Sequence, residues 1–529
     1  MVTALPLAVL LAVPHLGRAF LASSGRQSSF SPGVTAAVGR QQSSRDAVSV
    51  QGDVDESFGE EGVPEGWVLP KVPSGQIYLA EVPCLSDYFP SMNIRNDMMV
   101  QALSGGSPAF WNRLLGPDDC VIIDPICGPD RPGHKKALLR AGPRPLLHFD
   151  PQKTVAAIVT CGGLCPGLNS VIHHLTETLV KNYSAQRVIG VRGGFAGFYN
   201  RQLTPLDLTV SRVDRLQHQG GTLLGTSRGG FELDNIIAFL RAYQVTQLYV
   251  IGGDGTHRAA QKIAMECKAQ QLNIAVAGVP KTIDNDVDML DRSFGFETSV
   301  ETAQAAITSA VTEASCNLPN GIGIVKLMGR SSGFIAAHAT LASGDVDLCL
   351  VPEMPLVLEG PKGCLPHLMQ RVHDKGYAVV VVAEGAGENV LGSSAEVDLS
   401  GNKKLPKVAE FMQHSIEDFF HRHNLPVTCK SIDPSYTIRS VPANASDQIL
   451  CMQLAQNAVH AAMAGYTAFT VGLVNNKAVL IPMSLVTATS PRCLDPYGRV
   501  LERVLSTTLQ PSTLPYRPPK GGLDSATQP

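Results

Sequence analysis

Charged residues are scarce in this chain, and no apolar run is long enough to cross a membrane. Charged residues make up 17% of the 529 residues, the formal net charge is only −3, and no basic stripe is interleaved with aromatic residues. The charge pattern of a nucleic-acid-binding protein is therefore absent. The apolar run from Ala4 to Val13 is too short to span a bilayer. We expect neither nucleic acid nor a membrane among the partners of this protein.

Cysteine is also sparse for a chain of this length. The twelve cysteines are scattered, and none has metal-ligand spacing with histidines. Neither a disulfide framework nor a zinc site is therefore expected. Cys161 and Cys165 frame a glycine-rich loop. We interpret them as reduced structural thiols, and a redox-regulatory role for the pair stays open.

The length and the hydrophobic pattern predict a large α/β protein. A chain of 529 residues with 44% hydrophobic content can hold two or three domains and a large core. Apolar runs typical of buried strands alternate with helical patterns, which favours an α/β fold with parallel sheets. The clearest of these predicted strands are Val155–Val159, Arg187–Val191, Leu248–Ile251, Ile274–Val279, Ile322–Leu327, Asp347–Val351 and Ala378–Val382.

The N-terminal segment has a composition of its own. Its apolar run, Ala4 to Val13, is similar to the core of a signal peptide, and residues 20–45 are rich in Ser and Gly and contain no acidic residue. Together they resemble the bipartite leader that directs proteins to the complex plastids of algae of secondary origin. Residues 1–45 are thus predicted to be a plastid-targeting leader. The alternative is a disordered extension on a cytoplasmic protein.

Three further segments are expected to lie outside regular α/β structure. Residues 46–66 are polar and acidic, as in a linker. Residues 67–150 contain many prolines, so we expect an irregular extension that wraps the core. Residues 511–529 are rich in Pro, Ser and Thr, which predicts a disordered tail.

Glycine-rich or polar sequences follow three of the predicted strands directly. They are Gly162–Gly167, Gly252–Thr256 and Pro280–Asp286. Open α/β sheets bind their ligands at the carboxyl ends of the strands. Glycines let a phosphate approach the backbone, and the helix that follows offers free N–H groups. The first two sequences are therefore candidate phosphate-binding loops.

The third sequence, Pro280–Asp286, contains two carboxylates, an amide, a hydroxyl and an ammonium within seven residues. Aspartates two positions apart, such as Asp284 and Asp286, suit proton abstraction close to a bound Mg²⁺. Asp254, in the second sequence, can hold a metal that accompanies a phosphate. The alternative for Pro280–Asp286 is an Asp/Asn-rich loop that caps its own backbone.

Six motifs in this order resemble those of the 6-phosphofructokinase family, in its plant-type ATP-dependent branch. They are Gly162–Gly167, Gly252–Thr256, Pro280–Asp286, Met328–Arg330, Ala383–Gly385 and Tyr436–Arg439. The resemblance covers about residues 142–483. It implies two Rossmann-like lobes with parallel central sheets and an active site in the cleft between them. The ATP and Mg²⁺ lobe would be residues 151–297 plus 440–510, and the sugar-phosphate lobe residues 298–439.

The resemblance implies transfer of the γ-phosphoryl group of ATP to the 1-hydroxyl of fructose 6-phosphate. Asp284 would be the general base, Thr282 and Arg330 would donate to the transferred group, and Lys281 would complete the catalytic set. Asp286 would support the metal or orient Asp284. The implied ATP-binding residues are Gly163, Arg228, Gly229, Gly253, Asp254, Gly255 and Thr256, with Asp254 as the ligand of Mg²⁺. The implied sugar-phosphate residues are Thr282, Ile283, Asp284, Met328, Gly329, Arg330, Glu384, Tyr436 and Arg439.

Gly255 and Lys281 determine how the phosphoryl donor is predicted. Pyrophosphate-dependent members of the family have a second carboxylate directly after the metal-binding aspartate, where this chain has Gly255. Gly255 therefore favours ATP. Lys281 favours pyrophosphate, because pyrophosphate enzymes have lysine at that position and bacterial ATP enzymes have glycine. The combination of Gly255 and Lys281 is similar to that of the plant-type ATP enzymes. ATP is the expected donor, and a pyrophosphate-dependent fructose 6-phosphate 1-phosphotransferase is the alternative.

Two other classes and the subunit arrangement stay open. An NAD or lipid kinase would share the Gly252–Thr256 motif without the motifs that follow it. A catalytically silent regulatory subunit would be expected to have lost the base, the metal ligand or the arginines. The resemblance implies a homo-oligomer, a dimer or a tetramer. Bacterial relatives have an arginine that reaches a neighbouring subunit where this chain has Gly321, so cross-subunit sharing of the site and bacterial-style allostery stay open.

Overall fold

The structure is a computed structural model that describes four segments of the chain: residues 77–96, 114–126, 135–392 and 405–515. The predicted leader (1–45) and acidic linker (46–66) lie outside the described residues, as does most of the predicted tail. Within the described segments, no helix is both long and apolar enough to cross a bilayer.

Most strands of the described segments belong to two main sheets, and two short strands form a separate pair. In chain order they are β1 (Ile77–Leu79), β2 (Ile94–Arg95), β3 (Cys120–Ile122), β4 (Lys135–Arg140), β5 (Leu146–Leu147), β6 (Val155–Thr160), β7 (Arg187–Val191), β8 (Leu206–Asp207), β9 (Gln247–Gly252), β10 (Ala275–Pro280), β11 (Gly321–Leu327), β12 (Leu348–Leu350), β13 (Tyr377–Ala383), β14 (Thr428–Ile432), β15 (Phe469–Val474) and β16 (Lys477–Pro482). The larger sheet has the order β1-β4-β16-β15-β10-β9-β6-β7-β8, with β3 paired to β4. The smaller has the order β12-β13-β11-β14, and all its pairs are parallel.

Helices connect these strands and cover the sheets. In the described segments they are α1 (Leu168–Glu177), α2 (Leu233–Ala242), α3 (Asp254–Ala269), α4 (Phe296–Cys316), α5 (Phe334–Ser343), α6 (Cys364–Lys375), α7 (Glu388–Leu391), α8 (Val408–Arg422), α9 (Thr437–Ser440), α10 (Ala445–Met463), α11 (Met483–Thr489) and α12 (Arg499–Thr508). The alternation of strand and helix confirms the predicted α/β class. Strands β6, β9 and β10 are buried along their whole length, as continuous apolar runs in a parallel sheet require.

The register of the larger sheet brings the three candidate loops to one edge. Strands β6, β9 and β10 are parallel neighbours, with Thr160 opposite Ile251 and Gly252 opposite Pro280. The chain therefore leaves all three strands at the same level, into the loops that begin at Cys161 and Gly253 and at Lys281. The spatial convergence of the loops follows from strand pairing alone.

Two features differ from the sequence-based expectations. The larger sheet is mixed, because β16 is antiparallel to both β15 and β4. Residues 67–150 were expected to be irregular, yet β1, β3 and β4 extend the larger sheet. Strand β4 buries Ala137 and Leu138, and that burial outweighs the irregular structure that the surrounding prolines suggest.

One apolar cluster includes residues from both main sheets. Ile158 and Tyr249 belong to it from the larger sheet, and Val325 and Val381 from the smaller one. The lobe boundaries at 297/298 and 439/440 stay predictions.

Candidate active site

A cleft of about 470 Å³ opens at the edge of the larger sheet where the three loops meet. Its volume is in the range of small-molecule sites. All seven predicted ATP-binding residues line it, together with Lys281, Thr282, Ile283, Asp284, Asp286, Met328 and Arg439. Four other predicted sugar-site residues are not among the described lining residues of the cleft: Gly329, Arg330, Glu384 and Tyr436.

Lys281 forms a hydrogen bond to the first glycine-rich loop, Gly162–Gly167. The Lys281 ammonium donates a hydrogen bond of 2.8 Å to the Gly163 carbonyl, and the side chain is only 7% exposed. Gly162 has φ +87°, and an added Cβ would lie 3.2 Å from the Lys281 Nζ. Burial lowers the pKa of Lys281, and nearby Asp284 opposes this shift. The ammonium thus fixes the loop, and its predicted catalytic role stays a prediction.

The cysteines of this loop are buried thiols. Burial raises the pKa of Cys161 to about 12, and it raises that of Cys165 further. The eleven cysteines in the described segments are all free. The predicted reduced state of Cys161 and Cys165 agrees with these features, because a raised pKa suppresses the reactive thiolate.

The second loop, Gly252–Thr256, has open space beside Gly255. A Cβ added at Gly255 would meet no atom within 4 Å, so any side chain there would project into open space. Gly252 is different, since an added Cβ would lie 2.5 Å from Thr256. Helix α3 begins at Asp254, and its first N–H groups are available to an anion. The arrangement suits a phosphate chain lying across the start of α3.

Asp254 has one paired and one unpaired oxygen. Oδ2 lies 2.6 Å from the Arg258 guanidinium, one helical turn on. Oδ1 is buried and has no hydrogen-bond partner. Burial raises the pKa of Asp254, Arg258 opposes the shift, and the nearby charge of Asp286 adds to it.

The loop after β10 orders its polar groups around Thr282. The Thr282 hydroxyl donates to Asp286 Oδ1 at 2.9 Å and accepts from the Asp284 amide at 3.1 Å. The Ser293 hydroxyl donates to the Thr282 carbonyl at 2.6 Å. This is the self-capping that the alternative interpretation of the loop describes, and it coexists with a cleft-facing carboxylate at Asp284. The Thr282 hydroxyl has a single proton, so a bond from it to a phosphoryl group requires release of Asp286.

Asp284 is the candidate base. Its Oδ1 is buried without a hydrogen-bond partner. Burial raises the pKa of Asp284 from 3.8 to about 7, Asp286 and Glu384 add to the rise, and Lys281 and Arg330 oppose it. A carboxylate with a pKa close to the operating pH is well suited to general-base catalysis.

Arg330 and Glu384 lie near Asp284 although they do not line the cleft. Both alter its pKa through their charges. Gly385 brings the two motifs together: its amide donates to the Gly329 carbonyl at 3.1 Å, and an added Cβ would lie 1.9 Å from the Arg330 carbonyl. Only glycine fits there. The Met328–Arg330 and Ala383–Gly385 motifs therefore pack as one unit.

Arg439 and Tyr436, two of the predicted sugar-phosphate residues, contact each other. The Arg439 guanidinium lies 5.1 Å from the centroid of the Tyr436 ring, a cation–π arrangement. Arg439 lines the cleft and its Nε is buried without a hydrogen-bond partner. Tyr436 is 74% exposed. An unpaired guanidinium N–H in a cleft is well placed for a phosphate.

The donor set of the cleft fits Mg²⁺. Asp254 and Asp284 each have a buried oxygen without a partner, and the charge of Asp286 acts on both carboxylates. Mg²⁺ prefers oxygen ligands and is typically held by one or two carboxylates together with substrate phosphates. Asp254 is the residue that would hold it, and Asp286 would support the metal or orient Asp284.

Sequence reasoning missed Arg492. This residue lies about 200 positions after the loop, yet its Nε donates to the Asn285 carbonyl at 2.9 Å and its amide to the Asp286 carbonyl at 2.7 Å. No phosphate-binding or catalytic pattern surrounds it in the sequence. The only available signal was an arginine directly after Ser490-Pro491 in an otherwise unassigned segment.

Comparison with known proteins identifies the family. Residues 155–462 match the family described as Phosphofructokinase. The chain belongs to the phosphofructokinase family. Among its relatives, "ATP-dependent 6-phosphofructokinase 7" of Arabidopsis thaliana is 44% identical over 84% of this chain and 90% of its own length. "ATP-dependent 6-phosphofructokinase 5, chloroplastic" of the same species is 47% identical over 82% of this chain and 78% of its own.

A further relative and two solved structures extend the comparison. The ATP-dependent 6-phosphofructokinase of Amycolatopsis methanolica is 45% identical over 70% of this chain and 82% of its own. A pyrophosphate-dependent phosphofructokinase from Marinobacter aquaeolei has a TM-score of 0.57 at 22% identity, over 70% of this chain and 94% of its own. The Pichia pastoris phosphofructokinase has a TM-score of 0.53 at 23% identity, over 64% of this chain and 35% of its own. At these identities the structural likeness shows the phosphofructokinase fold alone.

Proposed function

We infer that the protein is an ATP-dependent 6-phosphofructokinase, which forms fructose 1,6-bisphosphate and ADP from ATP and fructose 6-phosphate. The observation that carries this assignment is the position of Asp284, which lines the cleft with the two glycine-rich loops and has a buried oxygen without a hydrogen-bond partner. The relatives at 44–47% identity over most of the chain support it, since their names specify ATP.

In the proposed mechanism, Asp284 accepts the proton of the sugar 1-hydroxyl as that oxygen attacks the γ-phosphorus. Its raised pKa lets it take up a proton near neutral pH. Arg330 lies close enough to act on Asp284 and donates to the transferred phosphoryl group, whose charge spreads over its equatorial oxygens. Glu384 accepts hydrogen bonds from sugar hydroxyls, and Arg439 holds the 6-phosphate.

On the donor side, Arg228 and the loops at Gly163 and Gly253–Thr256 hold the phosphates of ATP. Asp254 would hold Mg²⁺, with Asp286 in support, and the ion would supply positive charge that neutralises the phosphates. Gly255 supports ATP over pyrophosphate, because the space beside it is free for a nucleotide phosphate. Thr282 keeps Asp286 and the Asp284 amide in place.

The test is a coupled assay for fructose 1,6-bisphosphate with purified protein and either ATP or pyrophosphate as donor. We expect Mg²⁺-dependent turnover with ATP and a much lower rate with pyrophosphate. A preference for pyrophosphate would replace ATP by the alternative donor. Absence of product with both donors would indicate a silent regulatory subunit.

We further propose that the protein is a homo-oligomer located in a plastid. Chloroplastic relatives such as those from Arabidopsis thaliana support the location, and the alternative is the cytoplasm. Fusion of residues 1–46 to a fluorescent protein tests the location, and a diffuse cytosolic signal would contradict it. Light scattering on purified protein tests the subunit number, and a monomer would contradict the proposal.

A further inference from the structure

Arg492 binds the loop that follows the candidate base through four backbone carbonyls. Its amide donates to Asp286 O at 2.7 Å, and its Nε donates to Asn285 O at 2.9 Å. Nη1 donates to Leu290 O at 2.7 Å, and Nη2 donates to Asp291 O at 3.4 Å. One residue thus holds both ends of the loop 285–291.

This loop has few other ways to satisfy its backbone. Asn285 and Met289 have φ values of +54° and +67°, so the chain doubles back and cannot form a regular ladder. Carbonyl groups that are withdrawn from water need a hydrogen-bond partner. The planar guanidinium supplies several donors in fixed directions, which a lysine ammonium cannot do. It also lies against the Phe334 ring, 5.1 Å from the centroid.

The segment around Arg492 also contacts the Arg330 side of the site. We call residues 490–494 the strap. The Ser490 hydroxyl accepts from the Asp288 amide at 3.0 Å, and the Cys493 thiol donates to the Ser331 carbonyl at 3.3 Å. The Leu494 amide donates to Glu353 at 2.7 Å, and the same carboxylate accepts from the Gly333 amide.

The strap therefore joins two loops that come from different sheets. One begins after β10 and contains Asp284, and the other begins after β11 and contains Arg330. Phosphoryl transfer needs these two side chains at a fixed separation, and a displacement of about 1 Å can lower a rate by about 100-fold. Arg492 itself is not among the described residues that line the cleft. Its charge also lowers the pKa of Asp286, so a test of Arg492 must separate its charge from its hydrogen bonds to the loop.

We propose that Arg492 is a positioning residue for phosphoryl transfer, which holds loop 285–291 so that Asp284 faces the Arg330 loop. The expected effect on kcat rests on the proposed function. The expected effect on the order of loop 285–291 does not.

The kinetic test compares Arg492→Met and Arg492→Lys with the wild type. We expect Arg492→Met to lower kcat by about 10- to 100-fold, with less than about a threefold change in KM for either substrate. Arg492→Lys keeps the positive charge but has its donors on a single nitrogen, which cannot replace Nε, Nη1 and Nη2 at their separate carbonyls. Its kcat should therefore stay close to that of Arg492→Met. Arg499→Met is the matched control, because Arg499 is 82% exposed and pairs only with Glu502 among the described residues. It should behave as the wild type.

The structural test is amide hydrogen exchange of peptides covering residues 283–293, without substrates. Exchange should be faster in Arg492→Met than in the wild type and unchanged in Arg499→Met. Ser490→Ala, which removes only the acceptor for the Asp288 amide, should show a smaller increase. It serves in place of Arg492→Met if that variant does not fold.

Each outcome decides the proposal. Wild-type kcat in Arg492→Met, or full recovery in Arg492→Lys, would overturn it, the latter because charge alone would then suffice. Unchanged exchange in the loop would overturn it as well. If the wild type forms no fructose 1,6-bisphosphate, the proposed function fails, and the exchange data still decide whether Arg492 orders the loop.

Discussion

The substitution Asp284→Asn keeps the size of the candidate base and removes its charge. Its consequence for activity is direct: general-base catalysis contributes about 10²- to 10⁴-fold, and kcat should fall by that amount. Its consequence for stability is opposite in sign. The environment raises the pKa of Asp284 from 3.8 to about 7, so the folded protein disfavours the ionised form.

The magnitude follows from the size of that pKa difference. Each tenfold change in proton affinity is worth about 1.4 kcal/mol, so a rise from 3.8 to about 7 corresponds to about 4 kcal/mol. Because the side chain is half-buried rather than fully buried, screening by water reduces this, and we expect about 2 kcal/mol. Between pH 4 and pH 7 the folded state keeps a proton that the unfolded state has lost, so the wild type loses stability as the pH rises through this window. Asp284→Asn avoids that loss.

Urea unfolding of the Mg²⁺-free, substrate-free protein at pH 5 and pH 8 measures the effect. We expect Asp284→Asn to be more stable than the wild type at pH 8, with about a third of that gain at pH 5. Asp345→Asn, at an exposed position, is the matched control and should change neither kcat nor stability. An equal gain at both pH values, or no gain at pH 8, would refute the reasoning from burial and neighbouring charge.

Three further predictions concern the donor site and its thiols. Gly255→Asp should lower kcat/KM for ATP by about 100-fold, because like charges about 6 Å apart at an effective dielectric of about 20 repel by about 3 kcal/mol; an unchanged value in steady-state kinetics would contradict the donor assignment. Lys281→Met removes the charged hydrogen bond to the Gly163 carbonyl and should raise KM for ATP by about tenfold, with a smaller effect on KM for fructose 6-phosphate. Cys161 and Cys165 should resist iodoacetamide at pH 8 while the exposed cysteines react, because burial raises the pKa of both thiols. Mass spectrometry of the alkylated protein measures the order of reaction, and faster alkylation of Cys161 and Cys165 would contradict the prediction.

Much of the candidate site could be predicted because its residues follow strands directly. Gly163, Asp254 and Asp284 lie within four residues of the ends of β6, β9 and β10. Strand pairing then brings them together with no further information, since parallel neighbours end at the same edge. A pattern that is local in sequence thus determines a contact that is distant in sequence.

Other parts of the molecule lack such a local pattern. Strand β14 has the polar sequence Thr428–Ile432 and is defined by its pairing with β11, not by hydrophobicity. The side-chain partners within the site were equally hidden. Nothing in the sequence indicates that Lys281 donates to the Gly163 carbonyl or that the Thr282 hydroxyl donates to Asp286.

The same contrast explains why Arg492, the proposed positioning residue, could not be predicted from the sequence. The end of β10 determines the position of Asp284. The next residue, Asn285, has a left-handed backbone conformation (φ +54°), and the strand end does not determine the direction of the loop beyond it. The direction of the loop is set by hydrogen bonds to its backbone carbonyls, and such bonds do not depend on which side chains the loop carries. Sequence motifs therefore indicate the groups that are proposed to contact a substrate. The hydrogen bonds that orient those groups depend on the side chain of the donor alone. In this chain the donor is Arg492, about 200 residues after the loop.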